Sequence, residues 1–154
     1  MSYVLCVIDM QPTFDIVPGS RVANNSEREI RKAIQDKAPI IMVEYMPGDA
    51  TIEQLSKVAS EAMDKFKVVK KYRDDGSNVI TKTIKDNDFP SKHIKMIGVN
   101  TDCCVYRTAV GLTTTLPGAK IEIVADACDS KWSPHSHEDG IKRLKDLGCH
   151  ISNH

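Results

Sequence analysis

Neither sign of charge dominates this sequence: 21 Lys and Arg residues are met by 21 Asp and Glu, leaving a formal charge of zero. Without a basic excess there is no electrostatic footprint for phosphate backbones or anionic lipid, so no nucleic acid and no membrane is expected as a partner. A small molecule or another protein is favoured. No apolar run approaches the roughly 18 residues that suggest a membrane span. The apolar start, Met1-Ser2-Tyr3-Val4-Leu5-Cys6-Val7-Ile8-Asp9, lacks the basic flank and small-residue cleavage site of a signal peptide. A soluble, cytoplasmic protein is expected. The five cysteines, at 6, 103, 104, 128 and 149, are odd in number and show neither a CxxC pair nor a framework spacing, which fits reduced thiols. Neither GxGxxG nor GxxxxGK[ST] occurs, so dinucleotide and P-loop readings fail, and no cofactor is expected.

What the chain does contain is a core and a pattern. With 154 residues and 41% apolar content it can bury one substantial core, so a single domain over 1–154 is expected. Short β-rich apolar runs alternate with helical segments, which argues for an α/β fold: an open, Rossmann-like, mostly parallel sheet with helices on both faces. The strands are predicted at 3–8, 39–45, 66–70, 93–99, 120–126 and 148–152. Ser26-Glu27-Arg28-Glu29 has capping-box spacing and predicts a short helix starting there. Further helices are predicted within 51–66, around Val79, Ile80 and Ile84, over 102–116, and over 138–147, the last stopping at Gly148.

In such a sheet, ligands collect beyond the carboxyl ends of the strands, so the polar residues that end strands matter most. Asp9 ends the first, Lys70 or Lys71 the third, and Asn100 through Cys104 link the fourth to its helix. An acid, a cation and a thiol converge there if the middle strands are neighbours. For any single cysteine the ordinary reading is a small buried apolar residue, and Cys6, Cys128 and Cys149 keep it. An Asp after a strand is more often a turn or cap residue, and adjacent strand-end lysines are usually solvated. Together they suggest nucleophilic catalysis. A helix N-terminus and a nearby cation can lower a thiol pKa, and a carboxylate can take the thiol proton and return it to a leaving amine. First-turn backbone N–H groups can receive an oxyanion.

The segment Gly98-Val99-Asn100-Thr101-Asp102-Cys103-Cys104-Val105 resembles the nucleophile motif Gly-Val-x-Thr-Asp-x-Cys-Val of the isochorismatase-like cysteine hydrolases, which include nicotinamidase, N-carbamoylsarcosine amidohydrolase and ureidoacrylate amidohydrolase. Val7-Ile8-Asp9-Met10-Gln11 followed by Phe14 resembles the family's first-strand motif, Val68-Val69-Lys70 its lysine strand, and Asp126-Ala127 its segment after the fifth strand. The resemblance implies a sheet in the order 3-2-1-4-5-6 and a triad of Asp9, Lys70 and Cys104. It also implies a cis peptide between Val99 and Asn100, with the backbone N–H groups of Asn100 and Cys104 as oxyanion donors. Cys103 is then a neighbour of the nucleophile. By motif position Lys71 is the spare lysine, although a one-residue shift of the strand exchanges the two. The implied activity is cleavage of a C–N bond in a small amide or ureido substrate through a thioester. A homo-oligomer is implied as well.

The chain departs from its relatives in length, being shorter than most, which suggests trimmed loops around the site, and in two segments. Nicotinamidases carry histidines after the second strand that hold a divalent metal, whereas Glu44-Tyr45-Met46-Pro47-Gly48-Asp49-Ala50 has none, so no metal site is expected. Beyond the lysine, Arg73-Asp74-Asp75-Gly76-Ser77 replaces the family's small residues and Phe. Phe14, Tyr72 and Trp132 are candidate pocket walls. His135 and His137 form a His-x-His pair for which no third ligand is evident. Two rival readings stand beside the hydrolase. A response-receiver domain is disfavoured because Met10 and Gln11 follow Asp9 where paired acids are needed. The stronger rival is a family member without catalysis that binds a metabolite or protein.

Overall fold

A computed structural model describes residues 2–131 and 134–153. Six strands, β1 (Val4–Ile8), β2 (Ile40–Tyr45), β3 (Phe66–Lys71), β4 (His93–Val99), β5 (Lys120–Asp129) and β6 (His150–Ser152), form one parallel sheet in the order β3-β2-β1-β4-β5-β6. This is the α/β architecture and strand order expected. Among the described residues five α-helices accompany it: α1 (Arg21–Gln35), α2 (Glu53–Ala59), α3 (Ser77–Asn87), α4 (Tyr106–Thr115) and α5 (Pro134–Leu147).

The central strands read as unbroken apolar runs because both of their faces are covered. Leu5, Val7, Ile40 and Met42 pack with Ala23, Ile30, Leu55 and Val58 of α1 and α2. On the opposite face Val4, Cys6, Ile8, Ile41 and Val43 pack with Ile80, Ile84, Ala109, Leu112 and Leu144 of α3, α4 and α5. From β1 the chain winds outward through β2 and β3, then returns to place β4 on the other side of β1. The strand order therefore reverses between β1 and β4, and the crevice at their carboxyl ends is where such sheets bind ligands.

Several boundaries move from those expected. Helix α1 starts at Arg21, capped by the Ser20 side chain accepting from the Ala23 N–H at 3.4 Å, so Ser26 and Glu29 are buried in its interior and are not a capping box. The helix within 51–66 is shorter: α2 ends at Ala59 and gives way to a 3-10 segment, Ser60–Lys65, broken where Met63 takes a φ of 55°. Strand β5 continues through Asp126 to Asp129 across a register shift opposite Met96 and Gly98. Asp126 is thus inside a strand, where the Arg28 guanidinium grips it at 2.8 and 3.0 Å. No described helix is long and apolar enough to cross a membrane.

Candidate active site

Asp9 follows β1 in the left-handed region, with φ at 54°, and its backbone N–H donates to Val43 O of β2 at 3.0 Å. An aspartate tolerates this conformation better than most non-glycine residues. Its carboxylate is fully buried.

The cation that meets it is Lys71. Strand β3 pairs with β2 so that Glu44 stands opposite Lys70 and Tyr45 opposite Lys71. Side chains alternate between faces along a strand, so consecutive lysines go to opposite sides of the sheet. Lys71 lies on the face shared with Val43 and Val69, under α3 and α4, and is 2% exposed. Its ammonium donates to Asp9 Oδ2 at 3.1 Å, Arg73 O at 2.9 Å and Asp74 O at 3.2 Å. Three donors find three acceptors, which is what a buried ammonium requires. The same nitrogen sits 4.9 Å from the centroid of the Tyr45 ring. Lys70, expected beside Asp9, is on the other face, 47% exposed, and bonds Glu44 Oε1 at 2.6 Å. The exchange left open by the strand register is the arrangement found, and Lys70 is corrected to a peripheral ion pair. Glu44 also accepts from the backbone N–H and hydroxyl of Thr51, both at 2.8 Å, which ties the loop before α2 to the sheet.

Cys104 sits in a π-helical turn, Thr101–Val105, that leads into α4. Asn100 O accepts from the Cys103 and Val105 N–H groups at 3.0 and 3.2 Å, and the Val99–Asn100 peptide is cis, as the resemblance implied. Gly98, with φ at 126°, lets β4 run against Ile8: a Cβ there would fall 2.1 Å from Ile8 O, so no other residue fits. The turn is braced from the side of β5 and α5. Asn100 Oδ1 accepts from the Lys131 N–H at 3.0 Å, Ser130 Oγ donates to Asp102 Oδ1 at 2.8 Å, and Thr101 Oγ1 bonds His137 Nδ1 at 2.7 Å. Helix α5 reaches this backbone through Gly140, where a Cβ would lie 2.8 Å from Asp102 N. His137 is therefore a bracing residue, and among the described residues neither it nor His135 belongs to a potential metal cluster.

The thiol of Cys104 is 4% exposed and neighbours Asp9, and the titration of each is shifted by the other. Burial raises the Asp9 pKa, while the Lys71 charge pulls it down. Burial also pushes the Cys104 thiol up, the Asp9 carboxylate adds to this, and Lys71 opposes it. The expected lowering of the thiol pKa is thus not found: desolvation and a neighbouring anion outweigh the cation. Asp9 Oδ1 is buried and without a hydrogen-bond partner among the described residues.

Asp74, in the segment that departs from the family beyond the lysine, completes the site. Its Oδ1 and Oδ2 accept from Cys104 Sγ at 3.8 Å and Cys103 Sγ at 3.6 Å. Beside it, Asp75 Oδ1 accepts from the Ser77 N–H at 2.8 Å, and the Gly76 N–H donates to Thr108 Oγ1 at 2.9 Å. This holds the 73–77 segment against α4. Of the candidate pocket walls, Phe14 is half-buried and stacks edge-on to Tyr45 at 5.8 Å, one layer behind Lys71. Tyr72 is 75% exposed and forms no hydrogen bond or ring contact among the described residues; one step beyond Lys71, it has left the site. Trp132 lies outside the described residues.

The model of the Isochorismatase domain matches residues 3–154. No curated protein sequence matches the chain. Among solved structures, the MAR1 ribonuclease of Caenorhabditis elegans is 19% identical, with a TM-score of 0.84 over 99% of this chain and 77% of its own. A nicotinamidase from Staphylococcus aureus is 21% identical, with a TM-score of 0.83 over 99% of this chain and 98% of its own. A pyrazinamidase of Pyrococcus horikoshii, in complex with zinc, is 19% identical with a TM-score of 0.78, and each chain is covered in full. At these identities the structures speak for the fold, and the domain match speaks for descent: the chain belongs to the isochorismatase family of hydrolases.

Proposed function

We propose that this protein hydrolyses a C–N bond in a small amide or ureido compound through a thioester on Cys104, without a catalytic metal. The observation that carries the reading is the buried Asp9–Lys71 pair set against Cys104, with Asp9 Oδ1 left free. The S–H bond swings from Asp74 to Asp9, which takes the proton as sulfur attacks the substrate carbonyl. The resulting oxyanion is assigned to the backbone N–H groups of Asn100 and Cys104. The tetrahedral intermediate collapses, Asp9 returns the proton to the departing nitrogen, and ammonia or an amine leaves. Water, deprotonated by Asp9, then attacks the thioester, releasing the acid and restoring the thiol. Lys71 keeps Asp9 oriented and offsets its charge throughout.

The Pyrococcus relative is in complex with zinc, but the region after β2 does not suit such an ion here. It has no histidine, and its backbone is taken up by the Gln11 side chain. Gln11 Nε2 donates to Tyr45 O at 3.0 Å and Asp49 O at 2.6 Å, and Gln11 Oε1 accepts from the Tyr45 N–H at 2.7 Å. The ribonuclease name of the nematode neighbour finds little support, because 21 positive and 21 negative side chains leave no basic surplus for a polyanion. A single domain, a homo-oligomer and a reducing, cytoplasmic setting belong to the same reading. The five cysteines, all free thiols, support the setting.

The rival reading, a binder without catalysis, draws on the 4% exposure of Cys104. The test is product release from a panel of small amides and ureido compounds by wild type and Cys104→Ala. Hydrolysis of at least one compound, lost in Cys104→Ala, is expected. Equal rates in both proteins overturn the thioester route, and tight binding without turnover favours the rival.

A further inference from the structure

We propose that Asp74, Cys103 and Cys104 form a binding site for one thiophilic divalent cation of the zinc and cadmium class, and that filling it silences the nucleophile. The second clause rests on the proposed function; the first does not. One carboxylate oxygen of Asp74 and the two sulfurs all lie within 4.8 Å of one another, and this is the one such donor group among the described residues. Cys103 Sγ is 3.6 Å from Oδ2 and Cys104 Sγ 3.8 Å from Oδ1, so each sulfur has its own nearest oxygen of the same carboxylate. A tetrahedral zinc ion, about 2.3 Å from sulfur and about 2.0–2.2 Å from oxygen, needs S···O spacings of about 3.5 Å and an S···S spacing of about 3.8 Å. With all three donor atoms within 4.8 Å of one another, movements of about 1 Å bring them to their ligating positions.

Their chemistry also fits. Two thiols and a carboxylate favour a soft or borderline cation over magnesium or calcium, which take oxygen ligands. On binding, both S–H bonds give their protons to solvent and both sulfurs bond the metal as thiolates; no electrons are transferred. The three anionic ligands exceed the ion's charge by one, and because Lys71 is already paired with Asp9, the surplus is left to solvent on the exposed Asp74 side. Asp74 is exposed and Cys103 half-buried, so the ion has a path in, and its fourth position is left to water. None of these donors belongs to the 44–50 segment, so the site is separate from the region where histidines are missing. Cys103, a bystander in the hydrolytic scheme, acquires a function as the second sulfur ligand.

The experiment is a cadmium titration of the reduced full-length protein, followed by the ultraviolet thiolate-to-cadmium charge-transfer band and by proton release. One equivalent of cadmium bound with loss of about two protons is expected, with affinity weakened at least about tenfold in both Cys103→Ser and Asp74→Asn. Cys149→Ser, just before β6 and so at the opposite end of the strands from the cluster, is expected to titrate as wild type. Absence of the band, or an undiminished band in Cys103→Ser and Asp74→Asn, overturns the site. Since Asp74 is on the surface, its variant keeps the test decisive if Cys103→Ser folds poorly. If cadmium binds as described but amide hydrolysis continues unchanged at saturation, the silencing fails while the site stands. If no amide is hydrolysed at all, the proposed function fails and the binding result is unaffected.

Discussion

Lys71 Nζ lies 3.1 Å from Asp9 Oδ2, and neither side chain is more than 2% exposed. A charge pair this deep is costly to break by removing one partner, because the other is left buried and uncompensated, at about 3–5 kcal/mol. Lys71→Met is therefore expected to lower unfolding free energy by that order and to reduce hydrolysis by at least about a hundredfold, since a protonated Asp9 cannot serve as base. Lys70→Met removes a cation that is 47% exposed, leaves the buried Glu44 its two bonds from Thr51, and does not touch Asp9, so a smaller loss, of about 1 kcal/mol, is expected. Urea unfolding and steady-state rates on both variants decide between them. Similar losses from the two substitutions would contradict the assignment of the lysine.

The exchange of the two lysines marks the limit of what the chain discloses before its fold is known. The strands, their order and the convergence of Asp9 with the 100–104 segment follow from apolar runs and from the motif, because both-face burial leaves a strong mark on composition. The face on which a residue projects depends on strand phase, and a single step inverts it. Val69 and Lys71 lie on one face and Val68 and Lys70 on the other, and the exposure of Val68 follows from β3 being the edge strand. The contact that Asp74 makes was illegible for another reason. Its approach to Cys104 is a contact across 30 residues, set by how the 73–77 segment folds back over α4 at Gly111, where a Cβ would fall 2.2 Å from Ser77 Oγ. No local pattern records that. Gly140 is the same kind of feature, an ordinary helical glycine until α5 is docked.

Gly140 carries a prediction of its own. A methyl group added there meets backbone: Asp102 N at 2.8 Å, Thr101 C at 2.9 Å and Asp102 Cα at 3.0 Å. Backbone cannot swing aside as a side-chain tip can, so Gly140→Ala must move α5 or the turn that carries Cys104. Although alanine favours a helix by about 1 kcal/mol over glycine, overpacking costs about 1–3 kcal/mol, and a net loss of stability is expected. The melting temperature should fall by a few degrees, at about 2–4 °C per kcal/mol for a chain of this size, and kcat should fall with it. An unchanged melting temperature and kcat would show that α5 does not brace the turn.

Buried thiols make the fold sensitive to alkali. Burial raises Cys6 and Cys128 from 9.0 to about 12, so above pH 9 the unfolded chain loses these protons while the folded chain keeps them. The unfolded state then binds fewer protons, and stability falls as pH rises. The contribution is fully present below pH 9 and is lost progressively up to about 12, at about 1.4 kcal/mol per pH unit for each thiol. Urea midpoints at pH 8 and pH 10 should show the decline. Cys6→Ala, which is less stable at pH 8 because of the lost volume, should show a shallower slope. A slope unchanged by that substitution would remove Cys6 as a source.

Asp74 bears on which substrates enter. Its carboxylate faces the sulfur that attacks, at 3.8 Å from Cys104 Sγ, so a substrate carbonyl reaching that sulfur must come beside a negative charge. Compounds with a cationic or hydrogen-bond-donating group near the carbonyl gain a partner, and carboxylates near it are repelled. Wild type should therefore prefer a cationic amide over an anionic one of the same size in kcat/KM. Asp74→Asn keeps the shape and removes the charge, and it should narrow that preference about tenfold, mainly by raising KM for the cationic compound. For a neutral amide of equal size the same variant should change KM little, because no charge on that substrate faces Asp74. Competition between the cationic and anionic amides in one reaction gives the ratio directly. A ratio identical in wild type and Asp74→Asn would mean that the carboxylate does not select substrate.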